Sequence, residues 1–144
     1  LVVHPFARSI QSQYARRALI STVCDVLPEF ELDTLEPPLT FAGLPPAEGW
    51  LKKLAFAKRK IEEKNFDVAI IGAGSYGLPL AAHAKKVGKV GIHLGGIVQL
   101  MFGIRGRRWD AALDELGVAH SGWVRPSGSE IPDQAATVES GAYW

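Results

Sequence analysis

The residues best suited to bind an anion are a group of glycines that directly follows a short apolar run in the sequence. Gly72, Gly74 and Gly77 have the spacing of the dinucleotide-binding fingerprint, with Ser75 and Tyr76 between the last two. The first glycine of such a turn allows the tight reversal, the second lets a phosphate approach the backbone, and the third allows close helix–strand packing. The helix N-terminus adds unpaired N–H groups and a partial positive charge. We therefore predict an anion-binding turn; the alternative is that the glycines only permit a tight turn.

Two histidines and a second glycine turn follow other predicted strands. His4 lies at the end of the first apolar run, and His93 lies at the end of the run that follows Gly77. Gly95 and Gly96 come shortly after His93. Because the carboxyl ends of parallel strands meet at one edge of a sheet, we expect all of them to share that edge. There the histidines could contact a phosphate or act as a general acid and base, or each could simply be hydrogen-bonded near a strand end. Neither spacing suggests a metal site.

The densest positive cluster lies further along the chain. Arg105, Arg107 and Arg108 stand together, with Gly106 between the first two. Arginine forks suit a diphosphate because each can donate two parallel hydrogen bonds. We predict Arg105 and Arg107 as phosphate-binding residues. The alternative is a solvated basic helix end, where the helix dipole favours cations.

The elements that must position these residues alternate between strands and helices. Apolar patterning predicts strands over 1–6, 30–35, 66–71 and 90–94, and helices over 10–20, 50–64, 76–87, 97–104 and 110–116. Ser9 is the expected N-cap of the first helix, and 121–144 is expected to be a largely irregular tail. This alternation predicts an α/β fold, a Rossmann-like three-layer domain with a mostly parallel sheet.

The composition is that of an ordinary globular domain. The chain has 144 residues, 47% hydrophobic and 22% charged, which predicts a single domain over 1–144. Its net charge of +1 gives no reason to expect nucleic acid as a partner. No apolar run approaches the roughly 20 residues that cross a bilayer, and the lone Cys24 favours a reducing cytoplasm. Because Leu1 already lies in a predicted strand, we expect a fragment of a longer chain.

The segment 66–83, continued by Gly91-Ile92-His93-Leu94-Gly95-Gly96, resembles the C-terminal half of GT-D-fold and GT-D-like proteins. These are glycosyltransferases encoded with bacterial surface-polysaccharide genes. In that family a strand, a glycine turn, an alanine-rich helix and a strand ending in a D/H-x-G element recur in this order. The segment 92–109 and the opening Val3-His4-Pro5-Phe6 are similar to the GT-D-like branch.

The resemblance implies a domain that binds a UDP- or dTDP-sugar and transfers the sugar to a glycan acceptor in surface-polysaccharide synthesis. The two glycine turns would hold the diphosphate, His4 and His93 would line the site, and an oligomer would be possible. The founding GT-D enzymes also carry an aspartate-x-glutamate metal motif near their N-terminus. This sequence contains no such motif: either the motif lies upstream of Leu1, or this branch lacks it. The residues in this sequence therefore do not support a metal-dependent mechanism, and whether a divalent metal takes part stays open.

Two other functions stay open. The first is an NAD(P)- or flavin-binding oxidoreductase. Such an enzyme should place an acidic residue near the end of the strand that follows the glycine turn, where it holds the ribose hydroxyls. The strand that ends at His93 has no acidic residue there, and none follows before Asp110. The second is a non-catalytic nucleotide-binding or assembly module, in which the glycine turns are structural and the basic cluster or the aromatic end, Tyr143 and Trp144, serves assembly.

Overall fold

The computed structural model describes residues 1–20, 27–40, 49–117 and 122–144, and these form an α/β domain with a parallel sheet. The sheet consists of β1 (Val2–Val3), β2 (Thr34–Leu35), β3 (Val68–Ile71) and β4 (Val90–His93), in the order β2-β1-β3-β4. All its pairings are parallel. The α-helices are α1 (Ala7–Tyr14), α2 (Trp50–Glu62), α3 (Gly77–Lys86), α4 (Ile97–Met101) and α5 (Asp110–Leu116). The predicted fold class, a Rossmann-like domain with a parallel sheet, is confirmed.

The sheet separates two hydrophobic clusters, which makes three layers. On one face, α2 and α3 bury residues such as Ile61 and Leu80 against Ile71 of β3. On the other face, α1 and α4 bury Ile10 and Val98 against Val2 of β1. The helix after β1 therefore lies on one face and the helices on either side of β3 on the other. Strand order reverses between β1 and β3, and ligands of open α/β sheets bind at such a switch point, beyond the carboxyl ends of the strands.

The first helix differs from the sequence prediction. It begins at Ala7 and ends at Tyr14, so the predicted range 10–20 and the predicted N-cap, Ser9, were wrong. The carboxylate of Glu130 instead accepts hydrogen bonds from the N–H groups of Arg8, at 2.8 Å, and Ser9, at 3.2 Å, and from the Ser9 hydroxyl. The helix N-terminus is thus capped by a residue far away in sequence.

Other elements are shorter than predicted. The strand expected over 30–35 is only the two-residue β2, and the helix expected over 97–104 ends at Met101. Helix α5 has the predicted bounds. The segment after Gly122 is irregular, as expected, with three short 3₁₀ helices at Gly128–Glu130, Ala135–Thr137 and Glu139–Gly141. It is nevertheless packed, since Trp144 is buried in the second cluster. Cys24 and Ser121 lie outside the described residues.

Helix α3 lies unusually close to the edge strand β4 because Gly91 lacks a side chain. A Cβ atom on Gly91 would lie 2.2 Å from the carbonyl oxygen of Ala81, far inside van der Waals contact. The close helix–strand contact expected of the third fingerprint glycine, Gly77, is therefore made at Gly91. The contact fixes the position of the α3 N-terminus relative to the end of β4.

We expect Gly91→Ala to destabilise the domain by about 2 kcal/mol, because the added methyl group must push α3 away from the sheet. Gly128→Ala is the matched control, since a Cβ at Gly128 meets no atom within 4 Å. Urea unfolding of both variants checks the prediction. Equal stability of the two would show that α3 and β4 are not held in this close contact.

Candidate functional site

A cavity of about 330 Å³ opens at the switch point, beyond the carboxyl ends of β1, β3 and β4. Most of the predicted site residues line it. They are His4, Gly72, Gly74, Ser75, Tyr76, His93, Gly95 and Gly96. Other parts of the wall come from the segment 37–40 and from the C-terminal residues Val138, Tyr143 and Trp144. This volume lies at the lower end of the range for small-molecule sites, about 300–1,000 Å³.

The two glycine turns and the first histidine meet at Gly72. A Cβ on this residue would lie 2.6 Å from His4 Cδ2 and 2.6 Å from the carbonyl oxygen of Gly95. Since neither neighbour can be that close to a side chain, only glycine fits between them. The backbone of Gly72 is held there by a 2.9 Å hydrogen bond from its N–H to the carbonyl of Val3. The first fingerprint glycine is thus required for packing against His4 and the second turn.

The turn after β3 contains backbone N–H groups that donate to none of the residues that the structure describes. Gly74 has a φ of +51°, which a residue with a side chain adopts only with strain, and it starts the 3₁₀ helix Gly74–Tyr76 ahead of α3. In the described part of the chain, no hydrogen bond engages the N–H groups of Ala73, Gly74 or Ser75. All three residues line the cavity. Adjacent free N–H groups ahead of a helix are suited to bind an anion.

His4 is a neutral, buried hydrogen-bonding residue. Its side chain is 4% exposed, and its Nδ1 accepts a 3.0 Å hydrogen bond from the N–H of Phe6. Burial lowers the pKa of His4 from 6.5 to about 3, because the charged imidazolium would lose its hydration. His4 is therefore uncharged at neutral pH. It can donate a hydrogen bond to a ligand, but it cannot form an ion pair with a phosphate.

His93 lies over the start of α3. A Cβ on Gly77 would be 2.2 Å from His93 Cε1 and 2.3 Å from Nδ1, so the ring occupies the space that a side chain at Gly77 would take. His93 Nδ1 lies 3.2 Å from the carbonyl oxygen of Ile71. Gly77 itself does not line the cavity. Its role in the structure is to seat the His93 ring.

Tyr76, which lines the cavity, is stacked on a second aromatic ring. The ring of Tyr76 lies on that of Trp50, with centroids 5.4 Å apart and planes inclined by 14°. Trp50 Nε1 donates a 3.1 Å hydrogen bond to the Ser75 hydroxyl, which holds the stack to the glycine turn. The Tyr76 hydroxyl is buried and has no hydrogen-bond partner within the described residues. A buried hydroxyl of this kind is costly unless a ligand or water satisfies it.

The arginine cluster is arranged differently from the sequence prediction. Arg105 forms ion pairs with Asp110, at 3.1 Å, and Asp114, at 2.9 Å, and Arg107 contacts the carbonyl of Ser140. Neither arginine lines the cavity. Burial alone would raise the pKa of Asp110, but hydrogen bonds and charge from Arg125 and Arg105 outweigh it and hold that pKa below its ordinary value. Arg105 is thus part of a network that stabilises the start of α5.

Of the three clustered arginines, Arg108 is the one that lines the cavity. Its guanidinium lies 3.2 Å from Glu139 and 5.0 Å from the centre of the Tyr143 ring, at the rim of the cavity. It is the only charged residue lining the cavity among the described residues. The sequence places Arg108 in the basic cluster, but only the C-terminal segment, folded back beside it, shows which arginine faces the site. Buried Gln99 and the aromatic end of the chain were also missed, because they come from distant elements.

Comparison with protein-family models, with curated proteins and with solved structures finds no match to this chain. In the described ranges, no group of three or more histidine, cysteine, aspartate or glutamate side chains is placed to hold a metal ion. Within the same ranges, none of the helices is both long enough and apolar enough to cross a membrane.

The low pKa of His4 predicts a specific loss of stability in acid. Its ordinary pKa is 6.5 and its folded value is about 3, so only the unfolded chain binds the proton between those values. The neutral ring therefore contributes stability that is present above pH 6.5 and is lost as the pH falls towards 3. We expect the free energy of unfolding to fall by about 2 kcal/mol from this group alone between about pH 7 and pH 5.

The comparison variant is His4→Asn, whose Oδ1 can still accept the hydrogen bond from Phe6 but which does not titrate. Urea unfolding at each pH should show a shallower acid loss for His4→Asn than for wild type. An unchanged slope in His4→Asn would contradict the burial of a neutral imidazole.

Proposed function

We propose that this chain binds a nucleotide-sugar in the cavity at the switch point and transfers the sugar to a hydroxyl acceptor, as a glycosyltransferase domain of the GT-D-like type. The observation that carries the proposal is the turn of Ala73, Gly74 and Ser75. These residues line the cavity, and their N–H groups donate no hydrogen bond within the described part of the chain. Such a turn suits the diphosphate of the donor. Arg108 at the rim supplies the positive charge.

The end of β4 favours a nucleotide-sugar over a nicotinamide dinucleotide. A dinucleotide enzyme places an acid there to hold the ribose hydroxyls. In this chain β4 ends at His93 and continues into Leu94, Gly95 and Gly96. A neutral or basic side chain in this position suits the sugar and acceptor side of a transferase better than it suits an adenosine ribose.

The chemistry of transfer fits the charges around the cavity. The acceptor oxygen forms a bond to the anomeric carbon of the sugar as the bond from that carbon to the diphosphate breaks. The diphosphate leaves with the electron pair and gains negative charge. Backbone N–H groups and an arginine fixed in advance stabilise such a charge most effectively, because they need no reorganisation during the reaction. Arg108, held by Glu139 and Tyr143, is fixed in this way.

We expect at least one nucleotide-sugar of a UDP- and dTDP-sugar panel to raise the melting temperature. At a ligand concentration about a hundred times Kd, binding adds about 2.7 kcal/mol, or roughly 5–10 °C for a domain of this size. Gly74→Ala should weaken the affinity for the nucleotide-sugar at least about tenfold, and so reduce the shift, because a methyl group would block a phosphate from approaching the turn.

Gly117→Ala is the control for backbone strain. Gly117 has a φ of +61°, close to that of Gly74, and a Cβ there also meets no atom within 4 Å. Both variants should lose similar stability, but only Gly74→Ala should lose the ligand response. A panel that leaves the wild-type melting temperature unchanged would refute the proposed function, and an equal response in the two variants would refute the role of the turn.

A further inference from the structure

We infer that the two histidines of the cavity divide the transfer step: His93 takes the proton of the attacking hydroxyl on Nε2, and His4 donates a hydrogen bond to a ligand oxygen from Nε2–H. This inference rests on the proposed function. It goes beyond that function because it assigns opposite tautomers, and therefore different roles, to two residues of the same type.

The tautomer of His4 follows from its backbone contact. The N–H of Phe6 donates to His4 Nδ1 at 3.0 Å, so Nδ1 carries the lone pair and the ring proton is on Nε2. In the described part of the chain, no hydrogen bond engages that Nε2–H. The strongly lowered pKa of His4 agrees with a ring that stays neutral. A residue that resists protonation is a poor base but a dependable hydrogen-bond donor.

The tautomer of His93 is the opposite one. Its Nδ1 faces the carbonyl oxygen of Ile71 at 3.2 Å, and a carbonyl oxygen can only accept a hydrogen bond. Nδ1 therefore carries the proton, and Nε2 has a lone pair with no partner among the described residues. His93 is also more exposed than His4, so it can pass a proton to solvent after each reaction.

Glycines keep both rings in place. The His4 ring is packed against Gly72 and the His93 ring against Gly77, each so closely that a Cβ on the glycine would overlap the ring. The first and third fingerprint glycines therefore each seat a histidine. Fixed rings are what a proton transfer needs, since the base must be within hydrogen-bond reach of the proton that it removes.

The opposite tautomers point to different ligand groups. A phosphate oxygen only accepts hydrogen bonds, so it suits His4 Nε2–H and the free N–H groups of the turn. A lone pair such as that on His93 Nε2 requires a donor, and a sugar or glycan hydroxyl is one. The cavity is thus divided into a side that binds phosphate and a side, at His93, that binds the acceptor hydroxyl.

The reaction balances with these residues alone. The acceptor oxygen bonds to the anomeric carbon, the bond from that carbon to the diphosphate breaks, and the diphosphate keeps the electron pair. The hydroxyl proton moves to His93 Nε2. The resulting imidazolium still donates from Nδ1 to the carbonyl of Ile71, which stabilises its charge.

Substitution of His93 tests this assignment. In His93→Asn the side-chain amide nitrogen can replace Nδ1 and keep the bond to Ile71, but no atom replaces Nε2. We expect donor binding, measured by thermal shift with the UDP- and dTDP-sugars that bind wild type, to stay within about twofold. Release of nucleoside diphosphate in the presence of a panel of methyl glycosides should fall at least about a hundredfold. Imidazole should restore part of this release in His93→Ala.

His4→Asn is the companion variant. It keeps an acceptor for the N–H of Phe6 and loses only Nε2–H, so we expect about tenfold weaker donor binding, the cost of one hydrogen bond. Release in His93→Asn within about threefold of wild type would overturn the role of His93 while leaving the proposed function intact. A wild type that binds a donor but releases no diphosphate would also overturn it. A wild type that binds no nucleotide-sugar would refute the proposed function, and this inference with it.

Discussion

The close contact at Gly72 determines the geometry of the whole site. His4 directly follows β1 and Gly72 directly follows β3. The turn after β4 brings the carbonyl of Gly95 to the same point. Any side chain at Gly72 would force these three strand ends apart. Hydrogen bonds from Gly72 to Val3 and from Leu94 to Ile71 lock the strands in that register. The cavity exists because the strand ends can converge around a residue that has no side chain.

The same contacts change what the glycine motif means in this chain. In dinucleotide-binding proteins the third glycine allows the helix to pack on the strand. Here Gly91, on β4, makes that close contact with α3, while Gly77 seats the ring of His93. Gly74, with a φ of +51°, starts the turn that lines the cavity. The motif therefore combines one position that shapes the turn beside the cavity with two positions that seat histidine rings.

The strands and helices that carry the site could be predicted from local sequence patterns. The features that could not be predicted depend on contacts between residues far apart in the sequence. The apolar run before Gly72 and the alanine-rich segment after it are periodic enough to predict β3 and α3 from the sequence. The parallel-strand rule then brings His4 and His93 to one edge, and both line the cavity. The capping of α1 by Glu130 could not be foreseen, since 121 positions separate Ser9 from it. Arg108 was not distinguished from Arg105 because the carboxylates that engage them, Glu139, Asp110 and Asp114, are brought near by folding.

Nitrogen NMR of the histidine side chains tests most directly whether His4 and His93, which line one cavity, are held by opposite ring nitrogens. Long-range ¹⁵N–¹H correlation spectra of the uniformly labelled chain at neutral pH distinguish protonated from unprotonated ring nitrogens, and His4→Asn and His93→Asn assign the signals. We expect His4 to carry its ring proton on Nε2 and His93 to carry one on Nδ1. Spectra in which both rings carry the proton on the same nitrogen, or in which His4 is charged, would contradict it.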